Sequence, residues 1–127
     1  MHAIQTSKAP AALGPYSQGI VLPQSGLVFI SGQLGLDPVN SVLRDGIKEQ
    51  TRQALANLFA IIGESGSSDV HVVKTTVFLK DLGDFQAMNE VYAEFFKDRP
   101  PARSAVQVSR LPKDALIEIE AIAILGD

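Results

Sequence analysis

The sequence predicts an α+β fold with the element order βββαβαββ, in which two helices cover one face of a mixed sheet. Several segments alternate apolar and polar residues as strands do, and two others repeat apolar residues at steps of three and four. Turns rich in glycine and proline separate these segments. A chain of 127 residues, with 46% hydrophobic and 20% charged residues, fits one globular domain over residues 1–127.

The first third of the chain is predicted to form a loop followed by a hairpin. A short extended segment at residues 4–6 leads into a loop that is punctuated by proline and glycine. Strands are expected near residues 16–22 and 27–34, joined by the turn PQSG. The next loop, GLDPVNSVLRDG, ends where a helical period begins.

Two helices are predicted from the spacing of apolar residues. The first carries its buried stripe at Ile47, Thr51, Ala54, Leu55, Leu58 and Ile62 and ends near GESGSS. The second begins at Asp84, whose side chain can cap it, and ends at the prolines of DRPP. Its predicted stripe consists of Phe85, Met88, Tyr92 and either Phe95 or Phe96.

Three further strands complete the predicted order. The segment VHVVKTTVFLKDL is rich in β-branched residues and is expected to be central in the sheet. One side of it is predicted to carry Val73, Thr75, Val77 and Leu79. The C-terminal segment predicts a hairpin with strands at 102–109 and 115–125.

The last strand is apolar on both faces, which predicts an oligomer. Ile117, Ile119, Ala121 and Ala123 point one way, and Leu116, Glu118, Glu120, Ile122 and Ile124 point the other way. Two helices can cover only one of these faces, and an exposed apolar face of that size is an association surface. We therefore expect a homo-oligomer in which the helix-free faces meet, with Glu118 and Glu120 at or near the interface.

Composition excludes several classes of function. The net charge is -3, from 11 basic and 14 acidic residues mixed along the chain, so we expect no nucleic-acid partner. The absence of cysteine excludes disulfides and a thiol nucleophile, and the two histidines lack a metal-binding spacing, so no metal site is expected. Neither a signal sequence nor a membrane span is predicted, which gives a cytoplasmic location. SGQLG lacks the spacing of phosphate-binding loops, so no nucleotide cofactor is expected.

Arg103 and Glu120 form the candidate reactive pair. An arginine holds a carboxylate with two parallel hydrogen bonds, and a partly desolvated glutamate acts as a base or aligns a water molecule. Together they suit a small substrate that bears a carboxylate beside an electrophilic carbon. The alternative is a structural ion pair, either between these two residues or with Glu118.

Four other residues have both a functional and a structural interpretation. Ser31 is not a predicted nucleophile, and it either donates one hydrogen bond to a ligand or satisfies a loop. Gly32 allows a ligand or another backbone to come close. Tyr16 is placed at a rim, and Asn89 lies at the edge of the stripe formed by the second helix, where an amide is usually structural.

Five segments of the sequence resemble the RidA family of reactive imine deaminases, also called L-PSP or YjgF proteins. They are KAPAALGPYSQG, SGQLG, QTRQALANL, VVKTTVFLKDLGDFQAMNEVY and PPARSAVQVSRLPKDALIEIEAIA, and they span essentially the whole chain. The resemblance implies a chorismate-mutase-like fold and a homotrimer with three sheets packed into a central barrel and a cleft between each pair of subunits. It also implies hydrolysis of 2-iminobutanoate and 2-iminopropanoate to 2-keto acids and ammonia without a cofactor.

The resemblance implies a role for each candidate residue. Arg103 would bind the substrate carboxylate and Glu120 would orient or activate the attacking water. The cleft would be lined by Tyr16, Ser31, Gly32, Asn89 and Ala105. Many relatives have cysteine at the position of Ala105, so any contact made there by this chain comes from the backbone. Two other functions remain open, namely non-catalytic binding of 2-keto acids or related carboxylates, and an RNA-acting or chaperone-like role.

Overall fold

A computed structural model describes residues 1–126 and confirms the element order βββαβαββ. The strands are β1 (His2–Ile4), β2 (Gly19–Leu22), β3 (Leu27–Leu34), β4 (Val70–Leu79), β5 (Ala102–Gln107) and β6 (Ile117–Leu125). The helices are α1 (Gly46–Gly63) and α2 (Phe85–Phe95), and short 3-10 turns lie at Leu82–Asp84 and Pro112–Asp114. Neither helix within these residues has both the length and the apolar character of a membrane span.

The six strands form one mixed sheet in the order β1-β2-β3-β6-β4-β5. Every neighbouring pair is antiparallel except β4 and β5, which are parallel and connected through α2. The predicted hairpin of β2 and β3 is confirmed, and its turn ends at Gly26, whose φ of 78° favours glycine. The predicted α+β class, with helices on one side of a mixed sheet, is therefore the observed one.

The C-terminal hairpin prediction is wrong, because β5 and β6 are not neighbours. β6 inserts between β3 and β4 and pairs antiparallel with both, while β5 pairs with the other edge of β4. This arrangement gives both β4 and β6 a partner on each side, so only β1 and β5 are edges. The strands of Arg103 and Glu120 are consequently separated by β4.

The prediction for β4 needs two corrections. The strand is paired on both sides, but it lies next to an edge strand, and β3 and β6 occupy the middle of the sheet. A register shift between Val72 and Lys74 makes Val73 the extra residue of a bulge, so it leaves the predicted face and is exposed. Thr75, Val77 and Leu79 do lie buried on one face, as predicted.

The core lies between the sheet and the two helices. Its buried apolar residues include Ile4, Val21, Val28, Ile30, Ala54, Leu55, Leu58, Ile61, Val77, Leu79, Met88, Tyr92, Ile117, Ile119, Ala121 and Ala123. The predicted faces of α1, α2 and β6 pack on this core, although Ile47, Phe85, Phe95 and Phe96 are only partly buried, and Val91 of α2 is buried in addition. These elements place their other residues on the surface or on the helix-free face.

The start of α2 is capped one turn earlier than predicted. Asp84 holds the N-cap position, but its side chain makes no capping hydrogen bond. The carboxylate of Asp81 instead accepts a hydrogen bond of 2.8 Å from the backbone N–H of Gly83. Because the 3-10 turn runs directly into α2, the unsatisfied N–H groups that need a cap lie at the beginning of that turn.

Apolar side chains remain exposed on the helix-free face of the sheet. Phe29 and Ile124 are 41% and 37% exposed, and Val106 on β5 is 43% exposed. One end of this face is covered by a small cluster that includes Leu34 and Leu111. The exposed part is the surface on which the prediction of a homo-oligomer rests, and that assembly stays a prediction.

We expect Ile122→Asp to abolish self-association, because Ile122 lies on the helix-free face, where an assembled oligomer would bury the new charge. Light scattering at micromolar concentration should give a multiple of the chain mass for the wild type and the mass of a single chain for the variant. Ala56→Asp, on the exposed side of α1, is the matched control and should leave the mass unchanged. A wild-type protein with the mass of one chain would contradict the prediction.

Candidate active site

The two members of the predicted reactive pair face opposite sides of the sheet. Arg103 is paired with Thr75 of β4, whose side chain is buried beneath α2. Glu120 is paired with the next residue, Thr76, and successive residues of a strand point to opposite faces. Among residues 1–126 no carboxylate forms a salt bridge with Arg103. The structural ion pair that the sequence left open is therefore absent within one chain.

Arg103 is held in place by side chains of α2. Its guanidinium carbon lies 4.7 Å from the ring centre of Tyr92 and 5.4 Å from that of Phe85. One guanidinium nitrogen donates a hydrogen bond of 2.7 Å to Oδ1 of Asn89. The structure thus brings Arg103 and Asn89 together, and it adds the two aromatic rings that the sequence assigned to the core.

This arrangement leaves Arg103 ready to bind an anion. A guanidinium has five N–H donors, and in residues 1–126 the Arg103 side chain donates a hydrogen bond only to Asn89. The remaining donors are available to a ligand. The rings restrict the side chain before any ligand arrives, which lowers the entropy lost on binding. Ala105 lies on the same face two residues later and is half-buried, paired with Val77 of β4.

Burial keeps the hydroxyl of Tyr92 neutral in this cluster. Its oxygen lies 2.7 Å from Oγ1 of Thr75, which is completely buried. Desolvation raises the pKa of Tyr92, and the hydrogen bond with Thr75 and the charge of Arg103 oppose that shift only in part. Tyr92 therefore contributes a ring face and a satisfied hydroxyl, and no negative charge, to the surroundings of Arg103.

On the opposite side of the sheet, Glu118 lies in a cavity of about 220 Å³. The lining of this cavity includes two predicted site residues, Tyr16 and Gly32, together with Ser41 and Lys113. Ser41 and Lys113 both have positive φ values, of 59° and 57°, which are uncommon for residues other than glycine. Two strained loops therefore meet at the cavity that holds this carboxylate.

Gly32 allows the carboxylate of Glu118 to lie against the backbone of β3. A Cβ atom at position 32 would lie 2.9 Å from Cδ of Glu118, closer than van der Waals contact allows. Glu118 is half-buried, and its pKa is raised first by desolvation and then by the nearby charge of Glu120. A carboxylate with a raised pKa takes up a proton more readily than an ordinary carboxylate does.

Glu120 lies in a different environment two residues along β6. It is exposed and lines a separate cavity of about 260 Å³ together with Lys74, Thr76 and Ser31. Between the pairs Ile30–Ala121 and Gln33–Ile119, Ser31 and Gly32 oppose Glu120 alone and form a β-bulge. The catalytic role predicted for Glu120 stays a prediction. Glu118 is the more buried of the two carboxylates and shares a cavity with Tyr16, and both features favour Glu118 as the reacting group.

Sequence reasoning placed Glu118 at an interface and did not select it as a reactive group. The repeat IEIE puts Glu118 and Glu120 on the same face with the same spacing to their neighbours, so alternation treats them alike. The difference comes from the bulge on β3, which places Gly32 against Glu118. The only sequence signal for this contact was Gly32 in SGQ, which predicted that another group lies close to the backbone there but not that this group is Glu118.

Ser31 satisfies a loop, which is one of the two interpretations that the sequence left open. Its hydroxyl donates a hydrogen bond of 2.6 Å to the carbonyl of Ser17, and its backbone N–H donates one of 2.9 Å to the carbonyl of Gln18. The hydroxyl proton is therefore already used within the chain. Ser31 connects the bulge of β3 to the loop that carries Tyr16.

No cluster of three or more histidine, cysteine, aspartate or glutamate side chains suited to a metal ion occurs in residues 1–126. The polar side chains of Arg103 and Glu118 are instead suited to hydrogen bonding, with a small organic anion and with water respectively. The arrangement can bind a carboxylate at Arg103 and can accept a proton at Glu118.

We expect Gly32→Ala to change the free energy of unfolding by less than about 1 kcal/mol, because the side chain of Glu118 can move away from the added methyl group. Gly35→Ala is the matched control and should cost about 1–3 kcal/mol or more, since a Cβ there would meet backbone atoms of Gln50 at 2.5 Å. Urea unfolding of the three proteins measures both values. An equally large loss for Gly32→Ala would contradict the expectation that the end of the Glu118 side chain yields to the added methyl group.

Known proteins resemble this chain over nearly its whole length. The family model described as Endoribonuclease L-PSP matches residues 6–125. The human protein named 2-iminobutanoate/2-iminopropanoate deaminase is 48% identical over 97% of this chain and 89% of its own length. A RutC family protein of Pyrococcus abyssi is 53% identical over 94% of both chains.

Solved structures of relatives have the same fold. E. coli TdcF, crystallised with bound serine, is 43% identical and superposes with a TM-score of 0.92, over 99% of this chain and 100% of its own. RidA from the Antarctic bacterium Psychrobacter is 46% identical, with a TM-score of 0.92 over 98% of this chain and 100% of its own. The family model and these relatives cover nearly the whole sequence, so the chain belongs to the RidA family.

Proposed function

We propose that this protein hydrolyses 2-imino acids such as 2-iminobutanoate and 2-iminopropanoate, and their enamine tautomers, to 2-keto acids and ammonia. The observation that carries the proposal is a half-buried carboxylate, Glu118, packed against Gly32 in a cavity that Tyr16 shares. The deaminase names of mammalian relatives at about 48% identity support the same reaction. The reaction needs only water as a second reactant, so the proposal includes neither a cofactor nor a metal.

The proposed site is shared between subunits. Arg103 lies beneath α2 on one face of the sheet, and Glu118 lies on the other face, so one chain does not present both to a small substrate. A second copy is needed to bring an Arg103 against the Glu118 cavity. We therefore propose a homotrimer whose helix-free faces pack together, with Arg103 and Asn89 from one subunit and Tyr16, Gly32 and Glu118 from its neighbour.

In this mechanism Arg103 binds the carboxylate of the substrate through two parallel hydrogen bonds and thereby fixes the position of the imine carbon. Glu118 accepts a proton from a water molecule as the water oxygen bonds to that carbon. The product of this step is a carbinolamine. The sequence balances from the iminium form, which gives a neutral carbinolamine and a protonated Glu118. Glu118 then returns this proton to the nitrogen. As the C–N bond breaks, Glu118 accepts the hydroxyl proton while the carbonyl forms, and it passes that proton to the departing ammonia, which leaves as ammonium.

The carboxylate has a second effect on the same reaction. The iminium form of the substrate is cationic at nitrogen, and a nearby negative charge stabilises it in surroundings from which water is partly excluded. Glu120, exposed in one chain, adds negative charge close by and raises the pKa of Glu118. In this assignment Glu118 transfers the proton and Glu120 adjusts the pH at which it does so.

A second candidate function is non-catalytic binding of small carboxylates. It is favoured by the structure of the E. coli relative TdcF, which holds serine, a small molecule with a carboxylate. Purified protein added to enzymatically generated 2-iminopropanoate separates the two functions, because only a deaminase speeds the loss of the imine. The endoribonuclease in the family description finds no support in a chain with a net charge of -3.

We expect Arg103→Lys to raise KM for a 2-imino acid, because an ammonium lacks the planar fork that binds a carboxylate through two bonds. Arg103→Ala should raise it further, with a loss of kcat/KM of about tenfold to a hundredfold, since a charge-assisted contact is worth about 1.5–3 kcal/mol. Steady-state kinetics over a range of substrate concentrations measures both effects. An unchanged KM in Arg103→Ala would contradict the assigned carboxylate contact.

We expect Glu118→Gln to lower kcat by about 10² to 10⁴, the usual contribution of a positioned base. A base must be ionised, so wild-type kcat should rise with pH through the raised pKa of Glu118. Glu120→Gln should retain the plateau rate and move this rise to lower pH, because it removes the charge that disfavours ionisation of Glu118. The opposite result, with the large loss in Glu120→Gln, would assign the base to Glu120 as the sequence predicted.

A further inference from the structure

The loop between β1 and β2 brings Tyr16 to the Glu118 cavity without help from regular secondary structure. No helix or strand lies between Ile4 and Gly19. The Tyr16 side chain is 55% exposed, and its backbone N–H donates only to the carbonyl of Gly14, at 2.8 Å. The position of Tyr16 relative to Glu118 therefore depends on how the two ends of this loop are held.

The buried amide of Gln18 holds the two ends of the loop together. Its side chain is 3% exposed, and Oε1 accepts a hydrogen bond of 2.8 Å from the backbone N–H of Thr6. Nε2 donates to the carbonyls of Thr6 at 3.1 Å and Pro10 at 2.8 Å, with the carbonyl of Ala9 at 3.4 Å. One side chain near the end of the loop thus bonds to four backbone groups in its first half, at a depth where unsatisfied groups are costly.

The C-terminal end of the loop, at Ser17 and Gln18, is also fixed to β3. The backbone N–H and the hydroxyl of Ser31 donate to the carbonyls of Gln18 and Ser17, at 2.9 Å and 2.6 Å. Ser31 belongs to the bulge that also contains Gly32, against which Glu118 packs. A continuous set of hydrogen bonds therefore runs from the strand beside Glu118, through Gln18, to the start of the Tyr16 loop.

We propose that Gln18 is a positioning residue of this protein, whose amide closes the loop of residues 6–17 and thereby sets Tyr16 over the Glu118 cavity. The proposal rests on the proposed function for its effect on turnover, and on the hydrogen bonds alone for its effect on the loop. Only a terminal amide supplies one acceptor and two donors at one end of a side chain. Glutamate at this position would place negative oxygens against the carbonyls of Thr6 and Pro10.

The variants that test this role are Gln18→Met, which keeps the length and loses all the hydrogen bonds, and Gln18→Glu, which keeps the shape and loses the donors. Gln50→Met is the matched control. Gln50 is also buried, at 5% exposure, and its amide likewise bridges two backbone segments, donating to the carbonyl of Arg44 at 2.9 Å and accepting from the N–H of Leu116 at 2.8 Å. Replacing Gln50 by methionine therefore removes buried hydrogen bonds to the backbone, as replacing Gln18 does, but none of these bonds is to the Tyr16 loop.

Two measurements report on the loop without any reference to catalysis. The chain has 2 tyrosines, so 3-fluorotyrosine labelling gives one fluorine signal for Tyr16 and one for Tyr92. We expect both Gln18 variants to shift and sharpen the Tyr16 signal toward that of a mobile tyrosine and to leave the Tyr92 signal in place. Gln50→Met should leave both signals in place.

The second measurement is limited digestion with trypsin. Lys8 is the first Lys or Arg of the chain and Arg44 is the next, and the bond after Lys8 leads into Ala9, which is 1% exposed. Cleavage after Lys8 should be at least about tenfold faster in the Gln18 variants, since losing buried hydrogen bonds raises the open fraction of the loop by that order. Gln50→Met should be cleaved there at the wild-type rate.

The kinetic measurement connects the loop to turnover. We expect kcat/KM to fall by about tenfold to a hundredfold in Gln18→Met, as small displacements of site residues do. The variant that combines Gln18→Met with Tyr16→Phe should lose less than the product of the two single losses, because both changes act on Tyr16. A purely structural role would give independent losses instead.

Each result decides a different part of the proposal. Unchanged Tyr16 signals and wild-type trypsin cleavage in both folded Gln18 variants would overturn the role of Gln18 in holding the loop. A mobile loop with wild-type kcat/KM, or fully independent losses in the combined variant, would overturn its role in positioning Tyr16. If the wild type hydrolyses no 2-imino acid, the proposed function fails, and the fluorine and trypsin measurements alone support or overturn the part of Gln18 that concerns the loop.

Discussion

The insertion of β6 between β3 and β4 determines on which face of the sheet the candidate residues Arg103, Glu118 and Glu120 lie. β4 thereby separates β5 from β6, and its paired residues Thr75 and Thr76 define opposite faces for Arg103 and Glu120. Because strand side chains alternate with a period of two, no rotamer change can bring the guanidinium and the carboxylates together within one chain. In the proposed assembly, a second copy of the chain would both cover the helix-free face and complete the site for a small anion.

The two halves of the proposed site are stabilised in different ways. Arg103 is restrained by stacking on two rings and by one hydrogen bond to Asn89, all supplied by a single helix that packs on the core. Glu118 is restrained by the backbone at Gly32 and by two loops with positive φ residues. The first half is thus built into the hydrophobic core, whereas the second depends on loop geometry and on a bulge.

The sequence predicted the order of elements and the class of fold because both depend on periodicity, which local residues specify. It failed where a position depends on partners distant in the sequence. The hairpin of β5 and β6 was predicted because they are consecutive, and the structure separates them because β6 gains two partners by inserting beside β4. Val73 was assigned to the wrong face because it is the extra residue of a bulge, which interrupts the alternation between Val72 and Lys74.

The site residues show the same division between local and distant information. Arg103, Gly32, Asn89 and Tyr16 were found as residue types with suitable chemistry, and the structure then placed them on two different faces. The choice between Glu118 and Glu120 could not be made from a repeat that treats them alike, because it depends on which one the bulge of β3 covers. Gln18 was overlooked for a related reason: its amide bonds to residues 8 to 12 positions earlier in a loop without periodicity. Buried polar side chains in such loops leave no pattern in a sequence, yet they decide where an exposed residue such as Tyr16 stands.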